Sequence, residues 1–327
     1  MFSVLTWNVE NLFRPSQTST PEEQQHYQDK LALLAEVINL HNPDVIALQE
    51  VGGLEPLSDL QIACGYPHLD ISNFPDKRHI RVAFLSNLPI IAREDIVDFP
   101  IGPASTIFDL TATGTVPITR MSRGALRIRV QHQGMTIDVI TAHLKSKLLS
   151  FPRVGGSSFQ PKNEDERAQV AGIAILKRSA EAVTLRDRIN DFLEANINNP
   201  LILCGDFNDV PEAQTSLILC GPPGSEIGTR GFKMADLGDD QRLFNLTNAI
   251  QDPARRFSRI HNGRGEMLDQ IYASEELLPL VNNLRVLPVV DSLIDFREQL
   301  PSVTNNPLLR VDDIGPDHAP VIAVFNI

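Results

Sequence analysis

Short runs of apolar residues alternate along the chain with segments in which the apolar positions follow helical spacing. Residues 2–7 and 44–48 are typical of buried strands, and Leu31, Leu34 and Ile38 between them predict an amphipathic helix. Asn42-Pro43 ends this helix, because a residue that precedes proline disfavours helical backbone. A second, longer helix is predicted over residues 164–195. Further strands are predicted at 82–85, 90–97, 125–130, 135–143, 201–204, 268–273 and 320–325.

The spacing of these elements indicates the class of fold. Strands 82–85 and 90–97 are joined by the turn at residues 87–89, and strands 125–130 and 135–143 form a hairpin around residues 133–134. Two segments, 150–163 and 221–240, are rich in glycine and proline and predict surface loops. Hairpins mixed with crossover helices predict an α/β architecture with more than one sheet layer. Because no repeat or long low-complexity linker interrupts the chain, we expect a single domain over residues 1–327.

Composition and charge exclude several classes of protein. The 327 residues contain 29 Lys and Arg against 41 Asp and Glu, so the formal net charge is −12. This charge argues against binding of DNA or anionic membrane by the whole surface, but it is compatible with a local basic groove. No run of about 18 apolar residues predicts a transmembrane helix. The first residues have no basic segment before the apolar ones, so we expect no secretory signal and a cytoplasmic protein.

The three cysteines, Cys64, Cys204 and Cys220, carry little structural information. They are too few for a disulfide framework, and no two of them form a CxxC pair. A structural zinc site is therefore not expected, and the cysteine content fits a reducing compartment.

Polar residues follow the predicted strands at the points where these strands end. Asn8, Glu50 and His143 come at the ends of three strands, and a short strand at 201–204 leads into Gly-Asp-Phe-Asn. The segment Gly-Pro-Asp-His-Ala-Pro at 315–320 leads into the last strand. Side chains at strand ends can converge at one edge of a rigid sheet. We therefore expect these residues to form one site.

The residue types in this set favour metal-assisted hydrolysis of a phosphate ester. Glu50 and Asp317 offer the hard oxygen ligands that Mg²⁺ prefers. Histidines suit a phosphoryl oxyanion or a leaving group better than they suit Mg²⁺. An Asp and an Asn two positions apart, such as Asp206 and Asn208, can deprotonate and orient a water molecule.

Seven segments in order resemble the endonuclease/exonuclease/phosphatase superfamily, which includes the DNase I-like nucleases. They are TWNVENL (6–12), DVIALQE (44–50), RVAFLSNLPI (81–90), TAHLKS (141–146), LCGDFND (203–209), MLDQIYAS (267–274) and GPDHAPV (315–321). The resemblance implies a four-layer α/β sandwich of two mixed β-sheets flanked by helices, with the site at one edge. It also implies a Mg²⁺ or Mn²⁺ cofactor.

The resemblance assigns a role to each candidate residue. It implies that Glu50, Asn8 and Asp317 bind the metal and that Asp206 and Asn208 activate the water. It implies that His318, paired with Asp269, contacts the scissile phosphate. It also implies that His143 contacts the transition state or the leaving group, and that Arg123 contacts the substrate phosphate.

Four further positions carry expectations of their own. Glu10 lies where some members of the superfamily carry a second carboxylate. The nearest candidate for a carboxylate that supports His143 is Asp76. Gln270 stands where the family usually has an aromatic residue. Trp7 is expected to pack in the core, and the six remaining histidines are expected to be surface or local-structure residues.

The nature of the phosphate ester stays open between three hypotheses. Basic residues without acids, in 111–137 and 142–163, and four arginines in 253–265 adjoin the expected site and favour a polyanion read through its backbone phosphates. The first hypothesis is therefore a nuclease that hydrolyses nucleic acid. For this protein we expect no stable membrane association, and we favour a monomer. The second is a phosphatase or phospholipase that acts on an inositol phosphate, sphingolipid or nucleotide. The third, remote, is a binding protein without catalysis. Exposed strand faces could also explain the alternation in Arg127-Ile128-Arg129.

Overall fold

Two six-stranded sheets, each containing parallel and antiparallel pairs, form the centre of the molecule in a computed structural model. The model describes residues 1–102, 105–195, 199–221, 241–281, 284–304, 306, 309–310 and 313–327. In the first sheet the spatial order is β19 (Val289–Ser292), β21 (Val321–Phe325), β1 (Phe2–Leu12), β2 (Val45–Val51), β4 (Arg81–Ser86), β3 (His68–Ile71). In the second it is β13 (Leu243–Asn245), β16 (Asp269–Ser274), β12 (Leu201–Asp206), β9 (Met135–His143), β8 (Arg120–His132), β5 (Ile90–Asp98).

Helices cover the outer faces of both sheets. The first sheet carries α1 (Pro21–His41) and α2 (Leu54–Cys64), and the second carries α3 (Glu164–Ala195) and α4 (Gln214–Cys220). A capping box formed by Thr20 and Glu23 begins α1, and Asn42 ends it in the left-handed conformation with φ 41°. The predicted Asn-Pro stop is therefore confirmed.

Shorter elements lie in the connections. The strands are β6 (Ile107–Thr111), β7 (Gly114–Ile118), β10 (Phe151–Arg153), β11 (Gly156–Ser158), β14 (Arg259–His261), β15 (Arg264–Glu266), β17 (Leu280–Val281), β18 (Leu284–Arg285) and β20 (Ser302–Val303). Among the described residues, 3₁₀ turns occupy Leu246–Ala249, Pro253–Arg255, Glu275–Leu277 and Ile294–Phe296.

Three apolar layers hold the four structural layers together. The inner layer lies between the sheets and includes Phe2, Phe84, Val139 and Ile271, all fully buried. The two outer layers pack the helices onto the sheets. Successive residues of a strand lie in the inner and the outer layer in turn, because their side chains point to opposite faces of the sheet. The predicted four-layer α/β sandwich is confirmed.

The sequence placed two strands correctly but left their pairing open. β4 and β5 follow each other through a short turn, yet they belong to different sheets. β4 pairs with β2 on one side and with β3 on the other, so it has no free edge for β5. The predicted hairpin of β8 and β9 is confirmed.

The two predicted loops differ in outcome. Residues 150–163 contain the small antiparallel pair β10–β11 within an otherwise irregular segment, so that loop prediction is partly wrong. Residues 222–240 of the second predicted loop lie outside the described residues, and Gly221 caps the end of α4.

Candidate active site

Three of the predicted residues form one row across the second sheet. Asp206, the last residue of β12, lies opposite His143 of the parallel strand β9 and opposite Asp269 of the antiparallel strand β16. Residues in register on neighbouring strands share a face of the sheet. The strand pairing therefore places Asp206 beside His143 and beside Asp269, each of which is 63 positions away in sequence (206 − 143 and 269 − 206).

The first sheet supplies Asn8 and Glu50 from its parallel strands β1 and β2. Both strands lose regular register at this edge, after Asn8 and after Leu48. Glu50 has φ 65°, a left-handed conformation that costs free energy in a non-glycine residue. Its Oε2 accepts a hydrogen bond from the backbone N–H of Asn11 at 3.2 Å. The irregular backbone thus re-aims Glu50 at the edge of the sheet.

A continuous line of polar atoms joins the two sheets, with the Asp206 carboxylate at its centre. Asp206 Oδ2 accepts a hydrogen bond from Asn8 Nδ2 at 3.0 Å and lies 3.3 Å from His143 Nε2. His143 Nε2 lies 4.0 Å from Glu50 Oε1. On the other side, His318 Nε2 lies 3.9 Å from Asp206 Oδ2. The structure therefore brings Asn8, Glu50, His143, Asp206 and His318 together.

The residues around Asp206 are fixed by hydrogen bonds to the backbone. Asp206 Oδ1 accepts a hydrogen bond from the N–H of Asn208 at 2.8 Å, and Asn208 Nδ2 donates to the carbonyl oxygen of Leu144 at 3.1 Å. Burial raises the pKa of Asp206 to about 6, against the opposing charge of His318. A carboxyl with this pKa is mostly ionised at neutral pH and can still take up a proton.

The predicted pair of Asp269 and His318 is present. His318 Nδ1 lies 2.6 Å from Asp269 Oδ2, and both side chains are buried. Burial alone would lower the pKa of His318, but the nearby carboxylates, Asp269 first, outweigh it and raise the pKa to about 10. The imidazole is therefore cationic at neutral pH, with Nε2 turned towards Asp206.

Two residues outside the predicted set hold this pair in place. Trp7 is fully buried, as expected for a core residue, and its Nε1 also donates to the carbonyl oxygen of His318 at 2.8 Å. Ser258 Oγ accepts a hydrogen bond from the N–H of Asp269 at 3.0 Å, and its carbonyl oxygen accepts from the N–H of Ala319 at 2.7 Å. An isolated Trp or Ser gives no sequence signal for such a contact.

Asp317 lies beside His318 but is held mainly by Arg259. Arg259 Nη2 lies 3.0 Å from Asp317 Oδ2, and the N–H of Asp317 donates to Glu10 Oε2 at 2.8 Å. Burial would raise the pKa of Asp317, but the charges of His318 and Arg259 outweigh it and hold the pKa below its usual range. Glu10 thus belongs to the site region, and Arg259 is a residue that the sequence marked only as part of a basic stretch.

Asp76 is not the carboxylate that supports His143. Asp76 Oδ2 lies 3.3 Å from Arg123 Nε, and Asp76 Oδ1 accepts backbone hydrogen bonds from Arg78 and Ile80. Nδ1 of His143 is buried with no hydrogen-bond partner in the part of the chain that the structure describes. Burial, and after it the charge of Arg123, holds the pKa of His143 well below its usual range. Asp76 therefore supports Arg123 instead.

The prediction that every basic stretch borders the site is wrong for Arg127 and Arg129. Both pair with the fully buried Asp138, at 2.7 and 2.6 Å. Asp138 lies five residues before His143 on β9, or about 16 Å away along the strand. The alternative of solvated strand faces fails as well for Arg127, which is buried. Other basic residues of these stretches pair internally, such as Arg153 with Glu166.

Of the six histidines expected to be surface or local-structure residues, His132 is buried, and its ring lies 5.5 Å from that of Phe2. Gln270, which stands where the family usually has an aromatic residue, has a structural role. Its Nε2 donates to the carbonyl oxygen of Asp209 at 2.7 Å, and its Oε1 accepts from the hydroxyl group of Tyr272 at 2.6 Å.

The donor set at this edge fits a hard divalent cation. Oε1 of Glu50 faces the polar line and has no hydrogen bond among the described residues, and the Glu50 side chain is 17% exposed. A second group, Asp206, Asp269 and His318, also has donor atoms within 4.8 Å of one another. In that group, however, Asp269 and His318 bond each other at 2.6 Å, and histidine is a poor ligand for Mg²⁺. The geometry therefore favours Glu50 as the anchor of a cation.

Solved structures share this fold across the whole chain. A humanized D. rerio TDP2 carrying 14 mutations matches with TM-score 0.56 and 16% identity, over 100% of this chain and 99% of that one. The human Nocturnin catalytic domain with bound sulfate matches with TM-score 0.55 and 16% identity, over 99% and 93%. A mannosyl-6-phosphatase of Bacteroides thetaiotaomicron matches with TM-score 0.55 and 13% identity, over 100% of both chains.

Sequence comparison gives the family directly. No curated protein matches the chain in sequence. The model of the Endonuclease/Exonuclease/phosphatase family matches residues 5–292, which include Asn8, Glu50, His143, Asp206 and Asp269. The chain therefore belongs to the endonuclease/exonuclease/phosphatase family and is a hydrolase of phosphate esters.

Proposed function

We propose that this enzyme is a divalent-metal-dependent phosphodiesterase that hydrolyses nucleic-acid phosphodiester bonds. The observation that carries the proposal is the arrangement around Asp206: an ionisable carboxylate between two histidines, with a guanidinium beside them. Each of these groups suits one part of the attack of water on a phosphate diester.

The residues of the row divide the chemistry between them. Asp206, with its pKa raised to about 6, takes a proton from the attacking water, and Asn208 keeps the Asp206 carboxylate oriented. His318 is cationic and stabilises the developing negative charge on the phosphoryl oxygens. His143, neutral because its pKa is low, contacts the transition state or the leaving group through Nε2.

Arg123 is the proposed contact to the substrate phosphate. Its side chain is about nine-tenths buried, with 10% exposed, and Asp76 holds it from one side. Its Nη1 is buried without a hydrogen bond among the described residues, whereas Nε faces the Asp76 carboxylate at 3.3 Å. A guanidinium with unsatisfied donors has a strong preference for an anionic partner such as phosphate.

We propose that Glu50, Asn8 and Asp317 hold Mg²⁺ or Mn²⁺, a cation that stabilises charge on the phosphoryl oxygen when it is bound. Glu50→Gln removes one negative charge at nearly constant shape and should weaken Mg²⁺ binding at least tenfold, on the order of 1.4 kcal/mol. Titration calorimetry measures this affinity directly. Glu36→Gln, an exposed change on α1, is the control and should leave the affinity unchanged. Equal affinity for Glu50→Gln and wild type would remove Glu50 from the metal site.

Arginines around the site favour nucleic acid over a small phosphate ester. Arg78 and Arg123 both lower the pKa of His143 through their charges. Arg310 lies close enough to Asp317 and Glu50 for their negative charges to act on its pKa. Arg78 and Arg310 are exposed, and Arg78 bonds the neutral Asn11 side chain, so its charge is not cancelled there. Several cations around one reaction centre suit a chain of phosphates. The similarly folded D. rerio TDP2 was solved with a single-strand DNA product.

One substrate panel tests the proposal. Supercoiled plasmid, single-stranded oligonucleotide, inositol polyphosphate, sphingomyelin and bis(p-nitrophenyl) phosphate are each incubated with Mg²⁺, Mn²⁺ or a chelator. We expect the highest kcat/KM for a nucleic acid and no turnover with chelator. Faster hydrolysis of inositol polyphosphate or sphingomyelin would favour the phosphatase or phospholipase alternative. Turnover that survives the chelator would contradict the metal dependence.

A further inference from the structure

Helix α3 presents two buried charged side chains to the backbone around the site. Arg178 is 5% exposed and Glu181 is 1% exposed. They are three positions apart, so they lie on the same face of the helix. Burial of charged groups is costly unless each finds partners, and the partners of these two are informative.

Glu181 joins strand β8 to the loop that follows β9, and both segments adjoin site residues. Its Oε1 accepts a hydrogen bond from the N–H of Ser122 at 3.0 Å, and its Oε2 accepts from the N–H of Lys145 at 2.7 Å. Ser122 immediately precedes Arg123, and Lys145 follows His143 by two residues. One carboxylate therefore fixes the backbone beside the proposed phosphate contact and beside a histidine of the row.

Arg178 adds the loop that follows β12. Its Nη1 donates to the carbonyl oxygen of Lys145 at 2.9 Å, and its Nε donates to Asp209 Oδ2 at 3.2 Å. Asp209 directly follows Asn208, and Thr215 Oγ1 also donates to Asp209 Oδ2, at 2.7 Å. The N–H and the C=O of Lys145 are thus both held by the same face of α3.

We propose that Glu181 and Arg178 are positioning residues for the hydrolysis of phosphate esters. Neither touches the row around Asp206. Together they set the distances between strand β8 at Arg123, the end of strand β9 at His143, and the loop after β12 at Asn208. The proposal needs only the family's phosphoester hydrolysis, so it does not depend on nucleic acid being the substrate. A displacement of about 1 Å in a reacting group can cost on the order of 100-fold in rate.

Glu181→Gln tests the carboxylate. Glutamine keeps one acceptor oxygen but turns an NH₂ group towards the second backbone N–H, so one of the two backbone segments loses its anchor. The matched control is Asp138→Asn, the same chemical change in a fully buried carboxylate that bonds Arg127, Arg129 and Asn199 away from the site. For both variants we would measure the thermal unfolding midpoint, and kcat and KM for bis(p-nitrophenyl) phosphate with Mg²⁺.

We expect Glu181→Gln to lower kcat by about 10- to 100-fold, with a smaller change in KM. Asp138→Asn should lower the unfolding midpoint by at least as much and keep kcat within about threefold of wild type at a temperature where both variants are folded. Wild-type kcat in Glu181→Gln would overturn the proposal. An equal loss of kcat in Asp138→Asn would also overturn it, because general destabilisation would then explain the effect.

Arg178→Lys provides an independent test should Glu181→Gln fail to fold. Lysine keeps the positive charge but offers a single amine in place of two separated nitrogen atoms. The control is Arg186→Lys, about two turns further along α3, whose guanidinium donates to the carbonyl oxygens of Leu219 and Gln241. We expect kcat to fall roughly tenfold in Arg178→Lys and to stay at the wild-type value in Arg186→Lys. Equal kcat in these two variants would overturn the role of Arg178.

Discussion

At the scale of single residues, Asp206 is the group on which most contacts of the site converge. It is 1% exposed, and Asn8, Asn208 and His143 all approach its two oxygens. Asp206→Asn keeps the size of the side chain and one acceptor oxygen. Loss of a general base typically lowers the rate by about 10²- to 10⁴-fold, so kcat should fall in that range while the unfolding midpoint changes little. A variant that retained more than roughly a tenth of wild-type turnover would be incompatible with the role.

The Asp269–His318 pair makes a prediction about coupling between residues. Because the two side chains share one hydrogen bond of 2.6 Å, removal of either partner should disable the other. Residues that act as a unit lose activity non-additively. We therefore expect His318→Ala to cost nearly as much kcat as His318→Ala combined with Asp269→Ala. A double-mutant cycle of the three variants measures the coupling, and losses that simply multiplied would show that the two residues act independently.

At the scale of helices and strands, much of the site was predictable from the sequence because its residues lie at strand ends. The positions of Asp206 and His143 follow from local apolar runs, and that of Asp269 follows from the family resemblance. The structure places all three in one register row. Their roles remain proposals. Partner choice was not predictable in the same way: the runs at 82–85 and 90–97 predict strands but contain no signal for the sheet to which each belongs.

The burial of charged residues on strands and helices was the least predictable feature. Arg127 and Arg129 form a basic alternation that is typical of an exposed face, but the acid that binds them, Asp138, lies on the neighbouring strand. Arg178 and Glu181 sit within a helical pattern whose other charged residues are mostly exposed. Local sequence does not show which charge a fold will bury, because the partner comes from a distant element.

The close contact between β9 and β12 predicts that Gly205 tolerates no side chain. Gly205 has φ 146°, and a Cβ atom there would lie 2.0 Å from the carbonyl oxygen of Ala142. Gly205→Ala should force the strands apart next to His143 and Asp206 and lower the free energy of unfolding by about 3 kcal/mol or more. Chemical denaturation measures the loss. Gly156→Ala is the control, since a Cβ there meets no atom within 4 Å. Equal stability of the two variants would contradict the close contact.

At the scale of the whole molecule, the net charge is −12, but the basic residues are distributed unevenly over the structure. Many basic residues form internal ion pairs, whereas Arg78 and Arg310 remain exposed near the site. No helix among the described residues is both long enough and apolar enough to cross a membrane. A single domain over residues 1–327, a monomeric state and a cytoplasmic location stay predictions from the sequence.

This distribution of charge predicts how binding of nucleic acid should depend on salt. Binding of a single-stranded oligonucleotide, followed by fluorescence anisotropy in the presence of chelator, should weaken as salt rises, because each neutralised phosphate releases counterions. Arg78→Gln should reduce the slope of log K against log salt by about 0.7 to 1 if Arg78 contacts one phosphate. Arg188→Gln, a change on α3 in a residue that pairs with Glu94 and Asp191, should leave the slope unchanged. A slope that both variants share with wild type would exclude Arg78 from the substrate path, and binding that ignored salt altogether would contradict a polyanionic substrate.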